Sequence, residues 1–249
     1  MKRLAKVYVL LWSLGLACGM PANAPAASTT EYSAGHADIG LTYNNGELSL
    51  DYYFGEDAAV LDGMVTPVEV IANPSTAHVR VPDEAIFTFT LPAPFLDSGI
   101  GDSIWRLPFG QEIGVPFLGI DSRRLDIGVT NAVLSMTDFS GPGEFALYQV
   151  GSFGPITFLQ TNNGIDPVGD DMFSYPFHDH FNFGFTEPGI YNVELTATAN
   201  AAGVGQVSDV ETFTFFVGTA TAIPEPSSFM VIGFGIVGLL TRRRTRSRK

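Results

Sequence analysis

The stretch DIGLTYNNGELSLDYYF, residues 38–54, predicts a β-hairpin and sets the fold class. Apolar side chains alternate with polar ones on both arms, as one buried sheet face requires. These side chains are Ile39, Leu41 and Tyr43 on the first arm, and Leu48, Leu50, Tyr52 and Phe54 on the second. Between the arms, Asn44-Asn45-Gly46 supplies the residues that tolerate a left-handed backbone in a tight turn.

The same pattern continues on the C-terminal side of the hairpin, where short β-rich runs are separated by Gly, Pro and Asn. Further strands are predicted at 85–91, 125–134, 145–150, 156–160, 181–185, 191–199 and 212–217. No part of the body shows a sustained helical period with caps. The sequence therefore predicts an all-β domain over residues 32–218, an antiparallel β-sandwich that is Ig-like or jelly-roll-like.

The body is strongly acidic. The chain has a net charge of −13, but nine of its 13 cations lie at the two ends, leaving four arginines against 25 acids between them. Such a surface repels phosphate backbones, so we expect no nucleic-acid partner. The single cysteine, Cys18, excludes an intrachain disulfide and a cysteine-based zinc site.

The N-terminus has the pattern of a signal peptide for the Sec machinery. Lys2, Arg3 and Lys6 precede an apolar run, and Ala22-Asn23-Ala24 offers small residues before a cleavage site. We expect a signal peptide at 1–24 and a linker at 25–31. An uncleaved anchor is one alternative and a lipoprotein at Cys18 is another, but the aliphatic residue usual three positions before a lipidated cysteine is absent.

The C-terminus, residues 219–249, combines Pro224-Glu225-Pro226, an apolar helix predicted at 229–240 and a basic tail at 242–249. The prolines prevent the helix from extending backwards. The helix is just long enough to cross a membrane with its flanking residues, and the arginines favour a cytoplasmic end. A plain tail anchor is one interpretation.

In its order of elements, this end resembles a PEP-CTERM sorting signal. The resemblance implies a Gram-negative bacterium, recognition by an exosortase, and removal of the tail. It also implies a final place on the cell surface or in the extracellular matrix, after a transient stay in the inner membrane. Contact with the membrane is then limited to the C-terminal helix before processing.

His178-Asp179-His180 is the sharpest chemical signal in the body. Positions i and i+2 of a strand share a face, so the two imidazoles can chelate one divalent ion. We expect the phenylalanines at 181, 183 and 185 to point inward, with the histidines and Asn182 outward. The alternative is a polar strand edge, because zinc sites normally need three or four ligands.

His36 and Asp38 repeat this i, i+2 geometry on the first strand, and a solvated face is again the alternative. Asp51, Glu56 and Asp57 follow on the second strand and offer further oxygens. His78 is expected in a loop and is assigned no role. A second acidic group, Asp166, Asp170 and Asp171, has a superficial likeness to a calcium loop, but an ordinary polar loop is favoured.

Catalytic templates are absent from the sequence. It contains no Gly-x-Ser-x-Gly, no His-Glu-x-x-His and no phosphate-binding loop. We therefore expect no enzymatic activity. An exported hydrolase is the least favoured class.

Five landmarks in one order resemble the choice-of-anchor M surface proteins and their zinc-regulator-repressed PEP-CTERM group. They are GHADIG at 35–40, WRLP at 105–108, PFLGI at 116–120, GPGEF at 141–145 and HDHFNFGFTEPGIY at 178–191. The resemblance spans about 32–218. It implies a surface protein that binds or scavenges zinc near a metal-uptake system, with no established enzyme activity. Relatives tend to carry a histidine after the first hairpin, where this chain has DYYFGED at 51–57.

These observations predict a zinc site with His36, His178 and His180 as nitrogen ligands, and with Asp38 or Glu56 as an oxygen ligand or orienting group. We expect binding to weaken below about pH 6 as the imidazoles protonate. The competing class is a non-catalytic structural or exopolysaccharide-interacting matrix protein, which the sorting signal and the acidic surface favour.

Overall fold

The computed structural model describes residues 30–55, 58–125, 128–152, 154–166, 168–173 and 177–219, and these form an all-β sandwich with no α-helix among them. The strands are β1 (Thr30–Asn44), β2 (Glu47–Phe54), β3 (Val60–Leu61), β4 (Met64–Val65), β5 (Val70–Ala72), β6 (Ala77–Val81), β7 (Ile86–Thr88), β8 (Ser103–Leu107), β9 (Pro116–Arg124), β10 (Val129–Ser140), β11 (Phe145–Gly151), β12 (Gly154–Gln160), β13 (Asp171–Phe173), β14 (His178–His180), β15 (Asn182–Phe185), β16 (Gly189–Ala201) and β17 (Gly205–Val217). Short 3₁₀ turns lie at Pro74–Thr76, Asp83–Ala85 and Pro94–Leu96. The predicted fold class is confirmed.

Two sheets form the layers of the sandwich. The larger follows the order β13-β10-β16-β17-β6-β1-β2-β5, with β9 and the short β3 also paired to β1, β14 paired to β9, and β4 paired to β3. The smaller has the order β12-β11-β15-β8-β7. Most pairs are antiparallel as predicted, but β6 runs parallel to both β1 and β17, and β9 runs parallel to β1.

The predicted hairpin is present as β1 and β2, with Asn44 opposite Glu47 and Ala37 opposite Phe54. Strand β1 begins at Thr30, which is two residues inside the segment expected as a linker, because Thr30 and Glu31 pair with β6. The inward side chains of the hairpin are buried against those of β16, β17 and the smaller sheet. A continuous apolar core therefore fixes the face on which each strand places its polar residues.

A glycine divides β1 into two parts with different partners. Residues before Gly35 pair with β6 and β3, whereas residues from Gly35 onward pair with β9. Gly35 has φ +80°, and a Cβ there would lie 1.7 Å from the carbonyl oxygen of Ala58. Only glycine fits this left-handed position against a neighbouring backbone. His36 and Asp38 thus lie in the middle of a long strand, just after its bend.

The segment around His178 differs from the prediction in one important respect. Residues 178–185 do not form one strand, because β14 pairs with β9 in the larger sheet and β15 pairs with β8 and β11 in the smaller. The chain crosses between the sheets at Phe181, so the alternation of faces is interrupted there. Asn182 is consequently buried and donates to the carbonyl of Tyr148, and the expectation that it projects outward with the histidines was wrong.

Other differences are local. His78 lies on β6 and is buried against Phe216, not in a loop. Strand β10 begins at Val129, so Leu125 precedes the strand that was predicted to start with it. Asp170 is buried and accepts bonds from the backbone amides of Gln160 and Asp166, which makes it a structural part of an ordinary polar loop.

Candidate metal centre

Four side chains that can bind a metal converge on one face of the larger sheet. His36, Asp38, His178 and His180 each offer a ligand atom, and these atoms all lie within 4.8 Å of one another. The three imidazole rings form a triangle with centroid separations of 5.0–5.4 Å. Residues 142 positions apart in sequence are thereby brought to one point.

Strand β9 makes this convergence possible because it lies between β1 and β14. In the ladder, Gly119 is opposite Asp38 on one side and His180 on the other. A Cβ on Gly119 would lie 2.3 Å from Asp38 Oδ1 and 2.9 Å from His180 Cε1. The missing side chain leaves the space in which the ligands of the outer strands meet.

Three distances among His36, Asp38 and His178 are close to the edges of a small tetrahedron. His36 Nε2 and His178 Nε2 are 3.4 Å apart, and Asp38 Oδ1 is 3.0 Å from His178 Nε2. The other carboxylate oxygen, Oδ2, is 3.5 Å from His36 Nε2. Four ligands around zinc at about 2.0–2.1 Å have edges of about 3.3–3.4 Å. His36, Asp38 and His178 are therefore held close to the separations of a tetrahedral shell, and the ligand atom that His180 offers lies within 4.8 Å of theirs.

Neighbouring groups fix the orientation of the ligands. The ring of Phe117 stacks on His180 with centroids 3.5 Å apart and planes at 6°. Gln149, on the smaller sheet, donates to the carbonyl of His180 and to the carboxylate of Asp179, and so anchors the short strand β14 from behind. Contacts of this kind hold the imidazole and carboxylate side chains in place, so that less side-chain motion is lost when an ion binds.

The centre is half-open to solvent. The side chains of His36 and His178 are 29% and 24% exposed, whereas the Asp38 side chain is 5% exposed. The Nδ1 atom of His180 is buried, and the imidazole also interacts with the backbone of Leu118 on β9.

Burial sets the protonation of the cluster. It raises the pKa of Asp38 to about 6, with the His36 imidazole opposing this shift and the Asp121 carboxylate adding to it. Burial also lowers the pKa of His178, and it lowers the pKa of His180 to about 4, where the other two imidazoles add to the effect. At neutral pH His178 and His180 are therefore neutral and Asp38 is ionised, which are the forms that bind a metal.

The remaining sequence-predicted oxygens do not join the cluster that the structure shows. Glu56 and Asp57 lie outside the described residues. Asp51 is on β2 opposite Gly40 and is not among the four converging residues. Asp38 is thus the carboxylate that the described part of the chain brings to the cluster.

Sequence reasoning did not identify the supporting strand β9 from its residue pattern. Asp121, on β9 opposite His178, accepts bonds from the amide, Nε and Nη2 of Arg123. These contacts hold the pKa of Asp121 below its usual value despite its burial. The only sequence signal for this strand was the PFLGI landmark at 116–120, whose glycine is Gly119.

Comparison with known proteins identifies the C-terminal end. The family profile described as the PEP-CTERM protein-sorting motif matches residues 222–244. The chain carries a PEP-CTERM sorting signal. The signal indicates an exported protein of a Gram-negative bacterium that is recognised by an exosortase during export. Neither the curated proteins nor the solved structures gave a match.

The rest of the two ends lies outside the described residues. The signal peptide at 1–24, most of the linker, and the sorting signal with its helix at 229–240 therefore stay predictions as far as their structure is concerned. Among residues 30–219, with the gaps given above, no helix is long and apolar enough to span a membrane.

Proposed function

We propose that this exported PEP-CTERM protein binds one divalent metal ion, zinc, at the cell surface or in the extracellular matrix, as an accessory to metal scavenging or uptake. The observation that carries the proposal is the convergence of His36, Asp38, His178 and His180, whose ligand atoms all lie within 4.8 Å of one another. On this proposal the protein is not an enzyme, because four protein ligands fill a tetrahedral shell and leave no position for substrate.

Zinc is supported over calcium and magnesium by the donor set. Three imidazole nitrogens and one carboxylate suit zinc, whereas calcium and magnesium prefer shells made of oxygen. The charge of the body also favours capture, since about −21 charges between the two basic ends raise the local concentration of cations. Because the imidazole edges are partly exposed, the ion can enter and leave without unfolding of the sandwich.

A structural or exopolysaccharide-interacting matrix role is the second candidate. The sorting signal and the acidic surface support it equally well. A glycan platform is expected to present exposed tyrosine and tryptophan rings. In the open cleft lined by Phe87, Phe89, Phe95 and Tyr148, Tyr148 is 2% exposed and the other rings are phenylalanines. The geometry of the described body therefore adds more support to metal binding.

Isothermal titration of the exported body tests the proposal. With zinc at pH 7.5 we expect one site per chain, and we expect calcium and magnesium to give no saturable heat at the same concentrations. Absence of zinc binding, or saturation only at several ions per chain as on a diffuse acidic surface, would remove the basis of the proposal.

Zinc affinity should fall as the pH drops below about 6. The Asp38 carboxylate has its pKa near 6 in the metal-free fold, so below that pH zinc must displace its proton. The pKa values of His178 and His180 are lowered, so protons compete with zinc for these rings only at more acidic pH. We therefore expect Asp38→Asn to reduce the number of protons released per zinc by about one between pH 5 and 6. An unchanged proton count would show that Asp38 is not a ligand.

A further inference from the structure

An aromatic cleft opens on the face of the smaller sheet that points away from the main core. There, Phe89, Phe95, Ile104 and Tyr148 form a second, smaller apolar cluster under the loop that follows β7. The cleft beside this cluster has a volume of about 150 Å³. Its walls include Phe87, Phe89, Leu91, Pro92, Arg106 and Tyr148.

The cleft combines an apolar floor with one cation. A space of about this size accepts a ring as large as benzene, so it accepts a proline ring. The guanidinium of Arg106 lies 4.0 Å above the Phe87 ring at the wall of the cleft, and its Nη2 is 3.3 Å from Oε1 of Glu112, a half-exposed partner that an incoming carboxylate would displace. Aromatic-lined grooves are the usual receptors of proline-rich peptides, whose extended helix is preformed and loses little entropy on binding. The chemistry therefore fits an extended segment that carries prolines and a carboxylate.

We propose that this cleft binds the sorting segment of the same chain, with a proline of Pro224-Glu225-Pro226 between the aromatic rings and Glu225 paired with Arg106. Arg106 is one of only four cations in the acidic body, and Glu225 is the only acid in the last thirty residues. The segment has both features that the cleft requires. A second copy of the body is a less suitable occupant, because its acidic surface would bring many carboxylates to a cleft that has a single guanidinium.

The described chain ends within reach of the cleft. A Cβ on Gly218 would lie 3.2 Å from the ring of Trp105, so the chain leaves the fold beside β8. Trp105 is paired with Ile86 on β7, which is the edge strand of the smaller sheet. The next residue along β7 is Phe87, and its side chain lines the cleft. Passing round one edge strand takes roughly 10–15 Å, given the spacing of strands and the thickness of a sheet. The five Cα–Cα steps from Thr219 to Pro224 span up to about 17 Å.

Docking has a consequence for the exported precursor. Only two residues, Ser227 and Ser228, separate Pro226 from the first apolar residue of the predicted membrane helix, Phe229, which is about 10 Å of extended chain. A docked segment therefore holds the body against the membrane surface and covers the motif that the exosortase must reach.

Disulfide trapping tests the docking. A chain of residues 25–249 has no thiol, since Cys18 is the only cysteine. An intrachain disulfide can therefore form only between the two cysteines that are introduced. The chain in detergent micelles carries Ser227→Cys together with Leu91→Cys at the cleft. Its matched control carries Ser227→Cys together with Ile86→Cys, which is exposed beside the exit, opposite Trp105, and faces the other side of β7 from the cleft. After correction for the reactivity of each thiol, we expect the intrachain disulfide to form at least tenfold faster with Leu91→Cys.

A charge exchange tests the pairing. We expect Arg106→Glu to remove the tenfold preference, and the double variant Arg106→Glu with Glu225→Arg to restore it. Equal trapping at both positions in the parent would overturn the proposal, as would failure of the charge exchange to restore trapping in chains that keep their β spectrum. Dimers whose share rises with concentration would also overturn it and would show that a second copy occupies the cleft.

Discussion

Replacing His178 and His180 together with alanine should abolish zinc binding. Removal of an outer-shell partner alone typically costs 10–100-fold in metal affinity, so loss of two direct ligands should cost at least about 1000-fold. At zinc concentrations 1000-fold above the dissociation constant of the parent, the parent should gain about 4 kcal/mol of stability and the variant at most about 0.4 kcal/mol. Titration calorimetry and thermal melts with and without zinc measure both effects.

The double variant, in which His178 and His180 are both replaced by alanine, should keep its fold without zinc. Both histidines are only half-buried, and the adjacent core residue Phe181 is untouched. His78→Gln is the matched control because His78 is the one histidine outside the cluster, where it is buried against Glu31 and Phe216. It should retain the zinc affinity of the parent even if its melting temperature falls. A double variant that binds zinc like the parent would contradict the assignment of ligands.

A single methyl group on β9 should weaken zinc binding about 10–100-fold. In Gly119→Ala the new Cβ would meet Asp38 Oδ1 at 2.3 Å and the backbone oxygen of Asp179 at 2.9 Å. The Asp38 side chain must then turn away, and β14 must move from β9, so the four ligands no longer share one tetrahedron. Comparison of the zinc dissociation constants of the variant and the parent measures the loss.

The control for this substitution is Gly110→Ala. Gly110 has open space around its Cβ position and no positive φ, so the methyl group is accommodated there. We expect unchanged zinc affinity in the control, and near-native far-UV spectra in both variants. Equal affinities of the two variants would show that the space above Gly119 is not part of the metal centre.

The hairpin could be predicted from sequence because its information is local. Alternation over 38–54 specifies which side chains face the core, and Asn45 and Gly46, both with positive φ in the structure, specify the turn. The parallel pairing of β1 with β9 could not be predicted in this way. It joins strands some 80 residues apart, and strands buried on both faces have no alternation.

The histidines and Asp38 could be predicted because strand geometry places residues i and i+2 on one face. Their convergence depends on an interposed strand with a glycine at one position, and the spacing of the histidines contains no sign of this. The error at Asn182 has the same origin. Alternation predicts faces only within one strand, and the crossing of the chain at Phe181 ends β14 after three residues.

The location of zinc in crystals of the exported body is the most direct measurement of the central claim. Data collected on both sides of the zinc absorption edge should give one strong anomalous peak per chain. The account predicts that this peak lies about 2.0–2.2 Å from one atom each of His36, Asp38, His178 and His180. A zinc peak elsewhere on the acidic surface, with none between these four side chains, would contradict it.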